Sequence, residues 1–238
     1  MWPFTTKTSY LKSGIFSGFT DWHSHILPGV DDGIETTGEA LHLLKEYEQA
    51  GIKKVWLTPH IMEDIPNTTA SLKEKFQILK EEWKGNVEIK LASENMIDPL
   101  FEQRLQSDDF LPIGDTGTHL LLETSCFTPP YHLEDIFSSV TKKGYKIILA
   151  HPERYAYMEE KDYRKLKSSG IMFQMNLISL IGGYGKIAKK RAEWLMDNDY
   201  VDLIGTDIHR TDYFSKSFRD ECLNQKMVRK LLKIHKAI

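Results

Sequence analysis

The sequence predicts an α/β protein whose parallel strands curl into a closed or nearly closed barrel. Two observations lead there. Seven short apolar, β-rich runs alternate with charged, helix-like runs along the 238 residues. The helical runs supply the crossovers that parallel strands require. The length also suits one α/β barrel better than two separate domains.

The elements follow in order. A strand at 18–22 is followed by a helix at 37–50. Thr36 and Glu39 give that helix a capping-box start, and Ala40, Leu43, Leu44 and Tyr47 recur at helical spacing. Gly51 supplies its stop. The next strands are predicted at 54–58, 87–92, 119–123, 146–150, 171–176 and 201–205. Between them fall helices at 71–83, 99–106, 133–143, 162–169 and 186–198, with a last helix over 218–236. Residues 1–18 read as an N-terminal arm and 19–238 as a single domain.

Composition excludes several classes. A net charge of −3 gives no basic footprint for nucleic acid and no polybasic membrane anchor. No apolar run approaches the ~20 residues that span a bilayer. The start, MWPFTTKTSYLKSGIFSGF, lacks the continuous apolar stretch of a signal peptide. Cys126 and Cys222 lie too far apart to suggest a disulfide framework. A cytoplasmic protein is therefore expected. The aromatic arm (Trp2, Phe4, Phe16, Phe19) belongs to the core or to a contact, so a homo-oligomer is one expectation.

The metal-capable residues fall at the strand ends. His23 and His25 follow the first strand, with Asp31 and Asp32 in the loop beyond. His60 follows the second, Glu94 the third, Glu123 ends the fourth and His151 follows the fifth. Asp207 and His209 follow the last strand, in LIGTDIH. In a parallel barrel all strand C-termini open on one face, where the active site sits. Singly, each residue has an ordinary explanation: a polar turn, a buried acid, a cap. Jointly, nine of them at one face point to a metal site. Imidazole and carboxylate suit manganese, iron, zinc or nickel, and nine ligands exceed what one ion takes. Two or three divalent ions are expected, which acidify water and clamp phosphate oxygens. Asp31 reads as a loop cap or turn residue.

HSHILPGVDDG, LTPH, the Glu94 strand end, LLLE, LAHPERY and TDIH resemble motifs of the PHP (polymerase and histidinol phosphatase) superfamily. They are most similar to the bacterial PHP-type protein-tyrosine phosphatases of capsule and exopolysaccharide synthesis, over about 19–209. The resemblance implies a distorted (β/α)7 TIM-like barrel, the PHP fold. It implies one metal on His23, His25, Glu94 and Asp207. Glu94 would bridge to a second metal held by Glu123 and His151. A third would sit on Asp32, His60 and His209. Manganese is foremost, with iron, zinc, nickel or cobalt also suited. Arg154 would bind the phosphate, and with Glu94 carry catalysis. Hydroxide activated by the metals would attack phosphotyrosine, on a tyrosine autokinase or related protein. One departure is Ala92-Ser93, where a glycine is expected before the bridging glutamate.

Rival chemistries test poorly. A cysteine-dependent phosphatase needs arginine six residues after its cysteine, but His132 and Val228 stand there. Asp197-Asn198-Asp199 matches the letters of an aspartate-nucleophile motif but follows a helical run. An amidohydrolase would place a lysine where Glu94 and Glu123 stand. A PHP phosphatase for a small ester such as histidinol phosphate uses the same metals, as would a catalytically inactive metal-binding regulator.

Overall fold

A computed structural model of the chain describes residues 7–220 and 222–234. The strands are β1 (Thr20–Ser24), β2 (Lys54–Leu57), β3 (His60–Ile61), β4 (Glu88–Leu91), β5 (Glu94–Met96), β6 (His119–Glu123), β7 (Lys146–Ala150), β8 (Met172–Asn176) and β9 (Leu203–Gly205). The helices are α1 (Thr37–Ala50), α2 (Thr69–Glu82), α3 (Pro99–Ser107), α4 (Leu133–Lys142), α5 (Glu160–Ser168), α6 (Gly185–Asp197), α7 (Thr211–Ser217) and α8 (Gln225–Leu231). Every ladder between these strands is parallel. The orders are β1-β2-β4 and β3-β5-β6-β7-β8-β9. A parallel bridge between Ser24 and Ile208 brings β1 back beside the end of β9, so the sheet curls on itself.

Two of the expected strands, at 54–58 and 87–92, are each followed after a break by a short further strand. β2 stops before Thr58-Pro59 and β3 resumes at His60. Pro59 has no N–H for the ladder, so pairing breaks there. β4 and β5 are split at Ala92-Ser93, where Ser93 N–H leaves the sheet to bond the Leu111 carbonyl at 3.1 Å. Each break lets the strand end turn across to the neighbouring sheet. His60 pairs with Glu94 in register after both breaks.

The strands divide their side chains by period two. Leu120 and Leu122 of β6 pack outward against the helices, and Leu121 points inward. The inner core holds Trp22, Trp56, Ala92, Ile113, Leu121, Ile148, Ala150 and Leu203. Trp22 and Trp56 stack at 6.0 Å and 10° and fill the interior. Above this plug the inward positions become polar: Glu123 on β6, and Gln174 and Asn176 on β8, all buried.

The capping box expected for α1 is present. Thr36 Oγ1 accepts from Glu39 N–H, and Gly51 closes the helix at φ 95°. Of the last predicted helix, 218–236, only the short α8 forms among the described residues, and α7 ends just before that range. Residues 222 and 223 instead bond the backbone of Thr8, and Thr8 bridges Leu223 antiparallel. That pairing takes backbone groups a continuous helix would need. The helix's predicted end at 235–236, like Trp2 and Phe4, lies outside the described residues. Tyr10 and Phe16 are buried against Phe218, and the Tyr10 hydroxyl donates to the Leu177 carbonyl at 2.6 Å. No helix among the described residues is long and apolar enough to cross a membrane.

Candidate metal centre

The first ligand-type pair owes its direction to a β-bulge. Along β1 the register runs Asp21↔Val55 and then Ser24↔Leu57, three residues against two. One extra residue reverses the inward-outward phase. Trp22 can then fill the interior below while His23 and His25 face it above. Two other strand ends turn through left-handed backbone, His151 at φ 33° and Asp207 at φ 53°. Non-glycine residues there carry strain of the kind that collects at functional sites.

The nine residues singled out in the sequence converge. His23 Nε2 lies 3.0 Å from Glu94 Oε2 and 3.5 Å from Asp207 Oδ1. His25 Nε2 lies 3.4 Å and 3.3 Å from the same two oxygens. His151 Nε2 is 2.9 Å from Glu94 Oε1 and 3.7 Å from Glu123 Oε2. His60 Nδ1 faces Glu94 at 3.2 Å and Glu123 at 3.0 Å, while its Nε2 is 3.6 Å from Asp32. His209 Nε2 is 3.5 Å from Asp32. Four overlapping groups could each hold an ion: His25-Asp32-His60-His209, His23-His25-Asp207, His23-Glu94-His151 and His60-Glu94-Glu123. Glu94 belongs to two of these groups and His60 to two, which gives the centre shared ligands. The geometry places His60 with Glu94 and Glu123 as well as with Asp32.

The residues around the nine orient them. His23 Nδ1 bonds Gln174 Oε1 at 2.8 Å, His25 Nδ1 bonds Asp31 Oδ2 at 2.8 Å, and His209 Nδ1 bonds the Asp207 carbonyl at 2.9 Å. All three partners are oxygen acceptors, so each Nδ1 carries the hydrogen and each Nε2 offers a lone pair. His23 Nε2 and His25 Nε2 then face each other at 3.1 Å. Two lone pairs at that distance repel unless a proton or a metal ion lies between or beside them. His60 Nδ1 and Glu123 Oε1 are buried 3.0 Å apart but out of line for a hydrogen bond with each other. This donor set fits divalent cations.

The electrostatics agree. Burial opposes charge on His23, but Glu94 and Asp207 overcome it and push the imidazole up to about 9. Glu94 and Asp207 are buried yet held well below the ordinary carboxylate range, chiefly by His23. A hydrogen bond from His209 holds Asp32 down to about 2. The pocket favours cations.

Asp31 turns its loop, as the sequence suggested, and also orients the ligand-type residues. Its Oδ2 also accepts from His60 N–H at 3.0 Å, and its Oδ1 from Gly33 N–H at 3.0 Å. It anchors the loop, the His25 imidazole and the His60 backbone. Gln174 and Asn176 were missed. Their signal was present: polar residues at alternate positions of an otherwise apolar strand, FQMN. Tyr184, which donates to Asp207 Oδ2 at 2.7 Å, carries no local signal in GGYG.

Arg154 reaches the same centre. Its Nη1 lies 3.1 Å from Asp207 Oδ2, and its guanidinium sits 4.3 Å over the Tyr184 ring. It does not pair with Glu153, whose Oε1 instead accepts from Asn176 N–H and Ser179 Oγ. A cavity of about 630 Å³ opens over the cluster. Its lining includes Asp32, His60, Glu123, Arg154, Arg210 and Phe127. Phe127 is 80% exposed.

Comparison with known proteins places this geometry among relatives. Residues 19–232 match a family model described as "Capsular polysaccharide synthesis, CpsB/CapC". The chain is 28% identical to the tyrosine-protein phosphatase YwqE of Bacillus subtilis over 195 residues, 79% of this chain and 76% of YwqE. It is 28% identical to the tyrosine-protein phosphatase CpsB of Streptococcus pneumoniae over 205 residues, 81% of this chain and 83% of CpsB. A solved structure from work on YwqE and CpsB, described as metal-dependent tyrosine phosphatases, superposes with a TM-score of 0.72 at 24% identity. It covers 92% of this chain and 96% of that one. A Listeria monocytogenes lactonase shares the fold at a TM-score of 0.59 and 12% identity, over 98% of this chain and 96% of the lactonase.

Proposed function

The chain belongs to the CpsB/CapC family of capsular polysaccharide synthesis, and from that premise we propose that it is a metal-dependent protein-tyrosine phosphatase. One observation carries the reading: nine imidazoles and carboxylates from separate strand ends meet within hydrogen-bond or ion-pair distance of one another. Two relatives that span most of the chain are tyrosine-protein phosphatases.

Two to three divalent ions fit this donor set, with manganese foremost and iron, zinc, nickel or cobalt alternatives. His23, His25, Glu94 and Asp207 would hold the first. Glu94 would be shared with a second, beside Glu123 and His151. Asp32, His60 and His209 would hold a third. When bound, such ions acidify water and neutralise phosphate oxygens.

The chain's own residues do the rest. Arg154 presents a planar guanidinium to two phosphate oxygens. Asp31 and Gln174 fix the imidazole tautomers, so His25 and His23 offer lone pairs without rearrangement. Tyrosine, with a phenol pKa of about 10, leaves with little acid assistance. No covalent phosphoenzyme is required.

The substrate is a phosphotyrosine protein, in our reading a tyrosine autokinase or a related protein of capsule or exopolysaccharide regulation, acted on in the cytoplasm. The cavity, with the exposed Phe127 on its lining, favours a peptide over a small ester such as histidinol phosphate. Counting β2 with β3 and β4 with β5 as single interrupted strands supports a distorted (β/α)7 barrel over residues 19–238. Of the arm read at 1–18, the described residues 7–18 pack on it through Tyr10 and Phe16, and a homo-oligomer is compatible with this arrangement.

The test is to purify the protein without chelator, measure its metals by elemental analysis, and assay a phosphotyrosyl peptide beside histidinol phosphate. Two to three metals per chain with preferential peptide turnover, lost on chelation, is the expected result. Preference for histidinol phosphate would keep the site and replace the function.

A further inference from the structure

Asp207 uses its two oxygens for different purposes. Oδ1 faces His23 and His25. Oδ2 accepts three donors: Asn176 Nδ2 at 2.6 Å, Tyr184 Oη at 2.7 Å and Arg154 Nη1 at 3.1 Å. Arg154 therefore shares this oxygen with two other donors. If Arg154 turns to a phosphate, Oδ2 keeps two neutral donors and is not left as an unpaired buried charge.

Tyr184 also supports the other side of Arg154, its ring 4.3 Å from the guanidinium. Its position is set by a tight turn. Gly182 and Gly185 adopt φ 90° and 88°, and at Gly183 a Cβ would come within 2.5 Å of Ile178 Cγ1. The turn is tied to the segment bearing Arg154, because Ser179 Oγ donates to Glu153 Oε1 at 2.7 Å. The ring and the arginine are thus held in one frame, both lining the cavity.

We propose that Tyr184 is a positioning residue for phosphate recognition: its ring carries the Arg154 guanidinium, and its hydroxyl holds Asp207 Oδ2 so that Arg154 is free to turn to the substrate's phosphoryl oxygens. This rests on the reading of Arg154 as the phosphate ligand. To bind, Arg154 gives up its 3.1 Å contact with Asp207 Oδ2, but a cation over a tyrosine face keeps its stacking while it pivots, and the oxygen it leaves keeps Tyr184 and Asn176 as donors.

The experiment measures the Kd of inorganic phosphate for the metal-loaded protein by calorimetry, with metal content and phosphotyrosyl-peptide turnover on the same samples. Tyr184→Phe keeps the ring and loses the hydroxyl; Tyr184→Leu loses both. The expected result is phosphate binding weakened about three- to tenfold in Tyr184→Phe and about tenfold or more in Tyr184→Leu, with metal content unchanged because Asn176 still holds Asp207. In an Arg154→Ala background, Tyr184→Leu should weaken phosphate binding by less than about twofold further, a coupling that a merely structural residue would not give. Unchanged phosphate affinity in both single variants would overturn the proposal, as would equal loss with and without Arg154 or loss of metal in step with affinity. Tyr184-dependent phosphate binding without turnover of any phosphotyrosyl peptide would keep this inference and remove the phosphatase reading.

Discussion

His23 shows how the centre's charges depend on one another. Burial alone would discourage its protonation, yet Glu94 and Asp207 push it up to about 9. Below that pH the metal-free imidazole carries a proton, which an incoming ion must displace, since ligands bind deprotonated. The sign follows: metal uptake near pH 7 releases protons, and affinity rises with pH up to about 9. Calorimetric titration with manganese in two buffers of different ionisation enthalpy should detect the released protons. A buffer-independent enthalpy would contradict the assignment. Asp31 gives a second residue-scale prediction. It is outside the metal-capable groups but holds His25 Nδ1, His60 N–H and the loop at Gly33. Asp31→Ala should weaken metal binding about 10–100-fold, as loss of a ligand's orienting carboxylate does. Chelator competition measures this directly.

At the element scale, the strand ends do the aiming. The β1 bulge turns His23 and His25 into the interior, and the break at Pro59 brings His60 into register with Glu94. Buried Asp21, beside the bulge, takes hydrogen bonds from Tyr47 Oη at 2.8 Å, Thr206 N–H at 2.8 Å and Thr206 Oγ1 at 2.7 Å. This knot joins α1, β1 and the residue after β9, where the curled sheet returns on itself. Tyr47→Phe leaves that carboxylate one donor short and should cost about 1–3 kcal/mol. For a chain this long the melting temperature should fall by roughly 2–4 °C per kcal/mol, which scanning calorimetry can resolve. The alternation of strands and helices was legible because periodicity is local. The fate of the last predicted helix was not: its residues 222 and 223 pair with Thr8, a contact more than two hundred residues away in sequence.

At the scale of the whole molecule, the net charge of −3 gives little long-range attraction for acidic phosphopeptides. If the proposed function holds, recognition is therefore local, at the cation-seeking cluster and Arg154. The centre also joins the curled sheet across β1, β3, β5, β6 and the loops after β7 and β9, so ions bound there should stabilise the fold. Ions that bind only the folded state at a hundred times their Kd add about 2.7 kcal/mol. Chelation should then lower the melting temperature by several degrees, and added manganese should restore it. An unchanged melting temperature after full metal removal would mean that the cluster is not a site of tight binding.

The amino-acid order determined the kinds of ligand and their places at successive strand ends, because composition and period are written residue by residue. It also determined the start and stop of α1, since Thr36, Glu39 and Gly51 act within a few residues of the helix. Only the tertiary structure decided which atom of each ligand faces inward. That choice depends on partners remote in sequence: Gln174 sets the His23 tautomer from 151 positions away. Arg154, Asn176 and Tyr184 meet on a single oxygen of Asp207. A hydrogen bond is selected by distance and angle in space, and neither can be read from the spacing of residues along a chain.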